Sequence, residues 1–186
     1  FGLVPALLVL SNDRAPIPQF IDITPTSGIK FRHLNGDPNL KNYIFEAKGG
    51  GAAFLDFDND GWMDVLLVQG STLERFKQGS NPGPALYRNK RDGTFEDVTA
   101  KSGLKGGRGW GMGVTVADYD NDGLADIYLT NLGPNVLYRN NGDGTFTDVS
   151  EKAGVGDTRW GTSAAFGDYD GDGYLDLYVC NYLDVN

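Results

Sequence analysis

Short apolar runs recur along the chain in a fixed order, and each leads into a polar punctuation. "GAAFLDF" (51–57), "GVTVADY" (113–119) and "SAAFGDY" (163–169) each run into an acidic stretch. "MDVLLVQ" (63–69), "ADIYLTN" (125–131) and "LDLYVCN" (175–181) follow it. A third run is "ALYRN" (85–89) or "VLYRN" (136–140), and a fourth is "TFEDVT" (94–99) or "TFTDVS" (145–150). These lengths, with their β-branched and aromatic content, predict strands. The third and fourth runs are joined by "KRDG" (90–93) or "NGDG" (141–144), whose Asp-Gly step favours a tight hairpin. The first two runs are apolar on both faces, as strands in the middle of a stack of sheets would be. The fourth is more polar and suits an outer edge.

The pattern is an internal repeat. Residues 109–131 match 159–181 at a shift of 50, 86–104 match 137–155 at a shift of 51, and 48–70 form an earlier copy. A unit of about 50 residues with four antiparallel strands predicts a β-propeller blade. The expected fold is therefore all-β, a partial propeller. A shorter relative, "QFIDITPTSGI" (19–29), predicts a lone fourth strand at Phe20–Thr24 that would close the last blade of a ring. Two full blades and half of a third complete the unit at 17–186. A propeller typically has four to eight blades, so this stretch predicts an arc of one. Residues 70–84, an insertion between blade strands, read as an exposed loop.

Residues 1–16 stand apart. "FGLVPALLVLSNDRAP" has the length of a signal-peptide apolar region without a basic leader, and is too short for a transmembrane helix. It reads as the remnant of an export signal, or as a segment docking on a neighbouring subunit. Either reading favours an exported protein.

The acidic stretches carry the chemistry. "DFDNDGWMD" (56–64), "DYDNDGLAD" (118–126) and "DYDGDGYLD" (168–176) share the spacing D-x-D-x-D-G-x-x-D. Like charges so crowded repel unless a cation lies among them, and calcium takes six to eight oxygen ligands. Carboxylates at positions 1, 3 and 5 are Asp56, Asp58 and Asp60, then Asp118, Asp120 and Asp122, then Asp168, Asp170 and Asp172. Glycine at position 6 permits the sharp turn that brings them together. Position 7 offers a backbone carbonyl, from Trp62, Leu124 or Tyr174, and position 9 returns a carboxylate, Asp64, Asp126 or Asp176. Position 12 holds Leu67, Leu129 or Val179 where an EF-hand would place its bidentate Glu, and the flanks read as strands. The expectation is a calcium loop within a β-hairpin, about three ions per chain. Magnesium prefers stricter octahedral geometry, and zinc would want the His or Cys that these loops lack. Solvated Asx turns alone do not explain three copies that keep every Asp and the Gly while their neighbours vary.

Composition sharpens this picture. The net charge is −9, yet 12 of the 25 acidic residues lie in the three loops, leaving 13 acids against 16 Lys and Arg elsewhere. The negative charge is local, and no basic stripe with interleaved aromatics invites nucleic acid. The single cysteine, Cys180, excludes a disulfide framework and reads as a small buried hydrophobe in "LYVC". The single histidine, His33, has no second His nearby and reads as structural.

The acidic loops resemble the FG-GAP/VCBS-type repeats of integrin α-chain propellers. With "LYRNNGDGTFTDVS" (137–150) after the calcium hairpin, the whole unit is most similar to the cartilage acidic protein (ASPIC/UnbV-containing) family, over roughly residues 17–186. The resemblance implies a calcium-binding propeller, usually seven-bladed and extracellular, in adhesion, matrix or surface recognition. The expected function is thus a non-catalytic scaffold or adhesion module, secreted or at the cell surface, whose partners are other protein chains or surface glycans. Self-assembly through the N-terminal segment and open sheet edges is a further expectation. One alternative is a carbohydrate-binding propeller that stacks sugars on Trp110 and Trp160 beside Arg108 and Arg159, although packing between blades suits these tryptophans better. Another is a subunit of a surface filament or multi-protein assembly. No enzyme is expected: carboxylates at metal-ligand spacing are not free to shuttle protons, and Ser71 and Ser163 have no neighbouring His.

Overall fold

Each repeated apolar run forms the strand that its pattern predicts. The computed structural model describes residues 20–182. Strands β1 (Ala52–Leu55), β2 (Asp64–Leu67), β3 (Ala85–Asn89) and β4 (Phe95–Asp97) form one antiparallel sheet in chain order. The second repeat does the same with β5 (Trp110–Ala117), β6 (Asp126–Leu132), β7 (Val136–Asn140) and β8 (Phe146–Asp148). β9 (Gly161–Gly167) and β10 (Asp176–Asn181) make an antiparallel pair. The first strands of successive sheets are neighbours, β1 beside β5 and β5 beside β9, so the sheets stack as blades around an inner row. This is a partial β-propeller.

The core lies between blades. Leu55, Phe57, Leu66 and Leu86 of the first repeat meet Ile127, Leu129, Tyr138 and Phe146 of the second, with Leu104 added from the connection between them. β6 is covered on both faces and buried along its whole length, whereas β4 and β8 are largely exposed edges. Tyrosine hydroxyls tie one blade to the next turn: Tyr138 donates to the Lys105 carbonyl at 2.7 Å and Tyr128 to that of Val155 at 2.8 Å.

Three expectations need correction. Cys180 is exposed. β10 alternates between half-covered and exposed residues, Cys180 among the exposed, because the described residues place nothing over that face. Phe20–Thr24 carries no strand; Ile23–Thr26 belongs to a turn. An edge strand needs a third strand to pair with, and the described residues supply none. The end of this repeat is nevertheless kept: Phe95 donates its amide to the Ser27 carbonyl at 2.7 Å. Gly28 (φ 79°) lies against the Phe95 carbonyl as Gly103 (φ 77°) lies against that of Phe146. A side chain at either position would meet both a forbidden φ and a backbone oxygen. Finally, residues 70–84 are not simply an exposed loop. Thr72 caps a short helix, α1 (Leu73–Gln78), by accepting the Arg75 amide.

Leu73 and Phe76, three residues apart and so on one helix face, pack on a second cluster of Trp110, Met112, Leu132 and Trp160. Phe45 joins edge-on, its ring 5.1 Å from Trp110 and 6.0 Å from Trp160. Trp110 and Trp160 are therefore core residues with no face open to a sugar, and their neighbours Arg108 and Arg159 pair with Asp148 and Asp157. His33 is partly buried, and desolvation holds its pKa below the usual value, in keeping with a structural role. The apolar N-terminal segment 1–16 lies outside the described residues.

Candidate metal centre

All three acidic loops close with the same register. Leu55 pairs with Asp64, Ala117 with Asp126 and Gly167 with Asp176, so position 9 opens the second strand directly across from the residue before position 1. Position 1 then folds the loop over itself. Asp56 accepts the amides of Asp60 (2.9 Å) and Gly61 (2.8 Å), and Asp118 accepts those of Asp122 (2.9 Å) and Gly123 (2.8 Å). Asp168 accepts the amides of Gly171, Asp172 and Gly173. Position 5 accepts the amide of position 7 in each copy: Asp60 from Trp62, Asp122 from Leu124, Asp172 from Tyr174. The turn requires left-handed backbone at positions 4 and 6. Asn59, Asn121 and Gly171 supply the first, and Gly61, Gly123 and Gly173 the second, at φ between 85° and 88°.

This folding brings together the side chains that the spacing selected. Single oxygens of Asp56, Asp58 and Asp64 lie within 4.8 Å of one another, as do those of Asp118, Asp120 and Asp122, and of Asp168, Asp170 and Asp176. Positions 1, 3, 5 and 9 all occur in one cluster or another. The donor set is oxygen throughout, which suits a hard cation. The fit is specific at position 3. The Oδ1 atoms of Asp58 and Asp120 are shielded from solvent and have no hydrogen-bond partner. An anionic oxygen left so is costly unless something positive meets it, and a divalent cation fits that need.

Position 9 is the most buried. Asp64 and Asp126 are fully covered. Asp64 accepts amides from Phe57 (3.2 Å) and Asn89 (2.7 Å), and Asp126 from Tyr119 (3.2 Å) and Asn140 (2.8 Å). Desolvation pushes the Asp126 carboxyl up to about 6, with the charges of Asp120 and Asp122 adding to the effect, and raises Asp64 likewise. Asp126 therefore holds its proton more tightly folded than unfolded in the metal-free chain. Its destabilising effect is absent below about pH 4, the ordinary carboxylate range, and complete above about pH 6. In urea unfolding of metal-free protein across that window, Asp126→Asn should remove a downward contribution to the midpoint with rising pH.

Several residues at the loops escaped the sequence reading. Arg88 pairs with Asp58 at 2.8 Å, and Arg139 with Asp120 at 2.6 Å and Asp122 at 2.7 Å. Asn89 and Asn140 hold the loop carbonyls of Met63 and Ala125. Loops also touch one another: Asn59 donates to the Gly123 carbonyl at 3.2 Å and Asn121 to that of Gly173 at 3.0 Å. The signal was the recurrence of "YRN", a polar pair ending an apolar strand in both repeats.

Stacked four-stranded sheets with an acidic hairpin loop between their first two strands define a class, and the family comparison agrees with it. The FG-GAP-like repeat family matches the chain over residues 56–129 and again over 118–179; the chain belongs to that family. Among individual proteins it is similar to cartilage acidic protein 1 of Xenopus tropicalis, 38% identical over 88 residues, which is 45% of this chain and 14% of the frog protein. The human protein of the same name is 39% identical over 73 residues, 39% of this chain and 11% of the relative. This chain thus corresponds to a small part of those longer relatives.

Proposed function

We propose that this chain is a calcium-binding, non-catalytic propeller segment that works outside the cytoplasm as a scaffold or interaction module. The observation that carries the proposal is the loop, present in the first two copies, in which position 3 presents a shielded, unpartnered carboxylate oxygen beside two further carboxylates. Asp56, Asp58, Asp60 and Asp64 with the Trp62 carbonyl would hold one ion. Asp118, Asp120, Asp122 and Asp126 with that of Leu124 would hold a second, and Asp168, Asp170, Asp172 and Asp176 with that of Tyr174 a third. A bound divalent cation supplies positive charge that fixes each hairpin. Millimolar calcium, which favours so flexible an all-oxygen site, is an extracellular condition, and the relatives' cartilage acidic name fits that setting.

Catalysis has little to work with. Asp56 and Asp118 are engaged by loop backbone amides, and Ser71 is buried. No helix of the described residues is long and apolar enough to cross a membrane. Partners in this reading are proteins or surface glycans met by exposed blade edges. Urea unfolding in calcium or magnesium at equal ionic strength tests the metal reading: the midpoint should rise in millimolar calcium and respond far less to magnesium. Equal responses to both ions would mean general charge screening and would count against a dedicated site.

A further inference from the structure

The first two loops differ from the third in what their position-3 carboxylate does. In the first two, an arginine from the end of the third strand grips the outer oxygen. Arg88 Nε lies 2.8 Å from Asp58 Oδ2, and Arg139 Nε lies 2.6 Å from Asp120 Oδ2. The same fork reaches position 5, Arg139 Nη2 to Asp122 Oδ2 at 2.7 Å and Arg88 Nη2 to Asp60 Oδ2 at 3.5 Å, where Arg91 adds a contact at 2.8 Å. In both loops the inner Oδ1 of position 3 is left shielded and unpartnered. The third loop has no third strand beside it among the described residues. There Asp170 Oδ1 turns back on its own loop and accepts the Asp172 amide at 3.2 Å.

We propose that Arg88 and Arg139 are positioning residues for the cation sites of their loops: each holds the outer oxygens of positions 3 and 5 so that the inner oxygen of position 3 stays turned into the loop. This rests on the calcium reading above. The arginine backbones are fixed by strand pairing, Tyr87 opposite Val65 and Tyr138 opposite Ile127, one residue before each arginine. The next residues, Asn89 and Asn140, bond position 9 through their amides. Two adjacent residues of the third strand therefore brace three of the four carboxylate positions. A solitary exposed ion pair is worth only about 0–1 kcal/mol. The effect of the arginine is on orientation: a planar fork spans two carboxylates that otherwise repel, and outer-shell contacts of this kind tune metal affinity by about 10–100-fold.

The test follows calcium binding at the amides of Gly61, Gly123 and Gly173, one reporter per loop, by NMR titration of the chain and of Arg139→Gln. The expected result is an affinity about 10-fold or more weaker at Gly123. Gly61 and Gly173 should titrate as before, and the melting temperature of the chelated protein should change little. Arg139→Lys keeps the charge but not the fork and should remain weak at Gly123. Unchanged or tighter binding at Gly123 in Arg139→Gln, or full recovery in Arg139→Lys, would overturn the proposal. Absence of calcium binding at all three glycines of the unmodified chain would remove the metal reading itself, and this inference with it.

Discussion

Trp110→Ala is expected to cost about 3–5 kcal/mol of folding stability, the range for emptying a large buried aromatic site. Trp110 has no exposed surface and sits among Met112, Leu132, Trp160, Phe45, Leu73 and Phe76. These come from the second repeat, the half-blade, helix α1 and the 3-10 turn at Ile44–Ala47, so one side chain joins parts that share no sheet. Collapse around the cavity is hindered because Phe45 and Phe76 meet Trp110 edge-on, with interplanar angles of 72° and 69°. Urea unfolding measures the loss. Trp62→Ala is the control, since Trp62 is 46% exposed on the first acidic loop and contributes its backbone; it should change stability by about 0.5 kcal/mol or less. A loss below about 1 kcal/mol in Trp110→Ala would show that the aromatic cluster does not hold the arc together.

Withdrawing calcium should have an effect of the same order or larger. A ligand present at 100 times its dissociation constant stabilises the folded state by about 2.7 kcal/mol per site, so three independent sites sum to about 8 kcal/mol. Domains are commonly stable by only about 5–15 kcal/mol, which would leave the chelated chain marginal. Amide hydrogen exchange locates the change. Protection should fall at 56–64, 118–126 and 168–176, most of all in the third loop. Its four aspartates are exposed, and among the described residues nothing covers the outer face of β10. Protection that is indifferent to chelation in all three loops would contradict a structural role for the ion.

The strands and acidic loops were legible because both obey short-range rules. Alternation and apolar runs report which faces are covered, and a D-x-D-x-D-G-x-x-D spacing fixes a turn whatever surrounds it. What the sequence hid depends on contacts across the fold. Leu73 and Phe76 show a helical face only once Trp110 and Leu132 are placed beneath them. Cys180 sits in a run as apolar as "IYLT" of β6, but burial needs a sheet on each side, and the described residues place none over the face of β10 that carries it. Phe20–Thr24 resembles a fourth strand in its residues, yet pairing requires a partner that those residues do not carry. Nothing short-range marks Arg88 and Arg139, and only the register of the third strand against the second aims them at the loops.

The central claim is that each acidic loop holds one calcium ion. Its most direct test is calorimetric titration of the EDTA-stripped chain with calcium, beside the same titration of Asp120→Asn. One ion per acidic loop, about three per chain, is predicted, falling to about two when the unpartnered oxygen of the second loop is neutralised. No heat of binding, or a stoichiometry that Asp120→Asn leaves unchanged, would contradict the account.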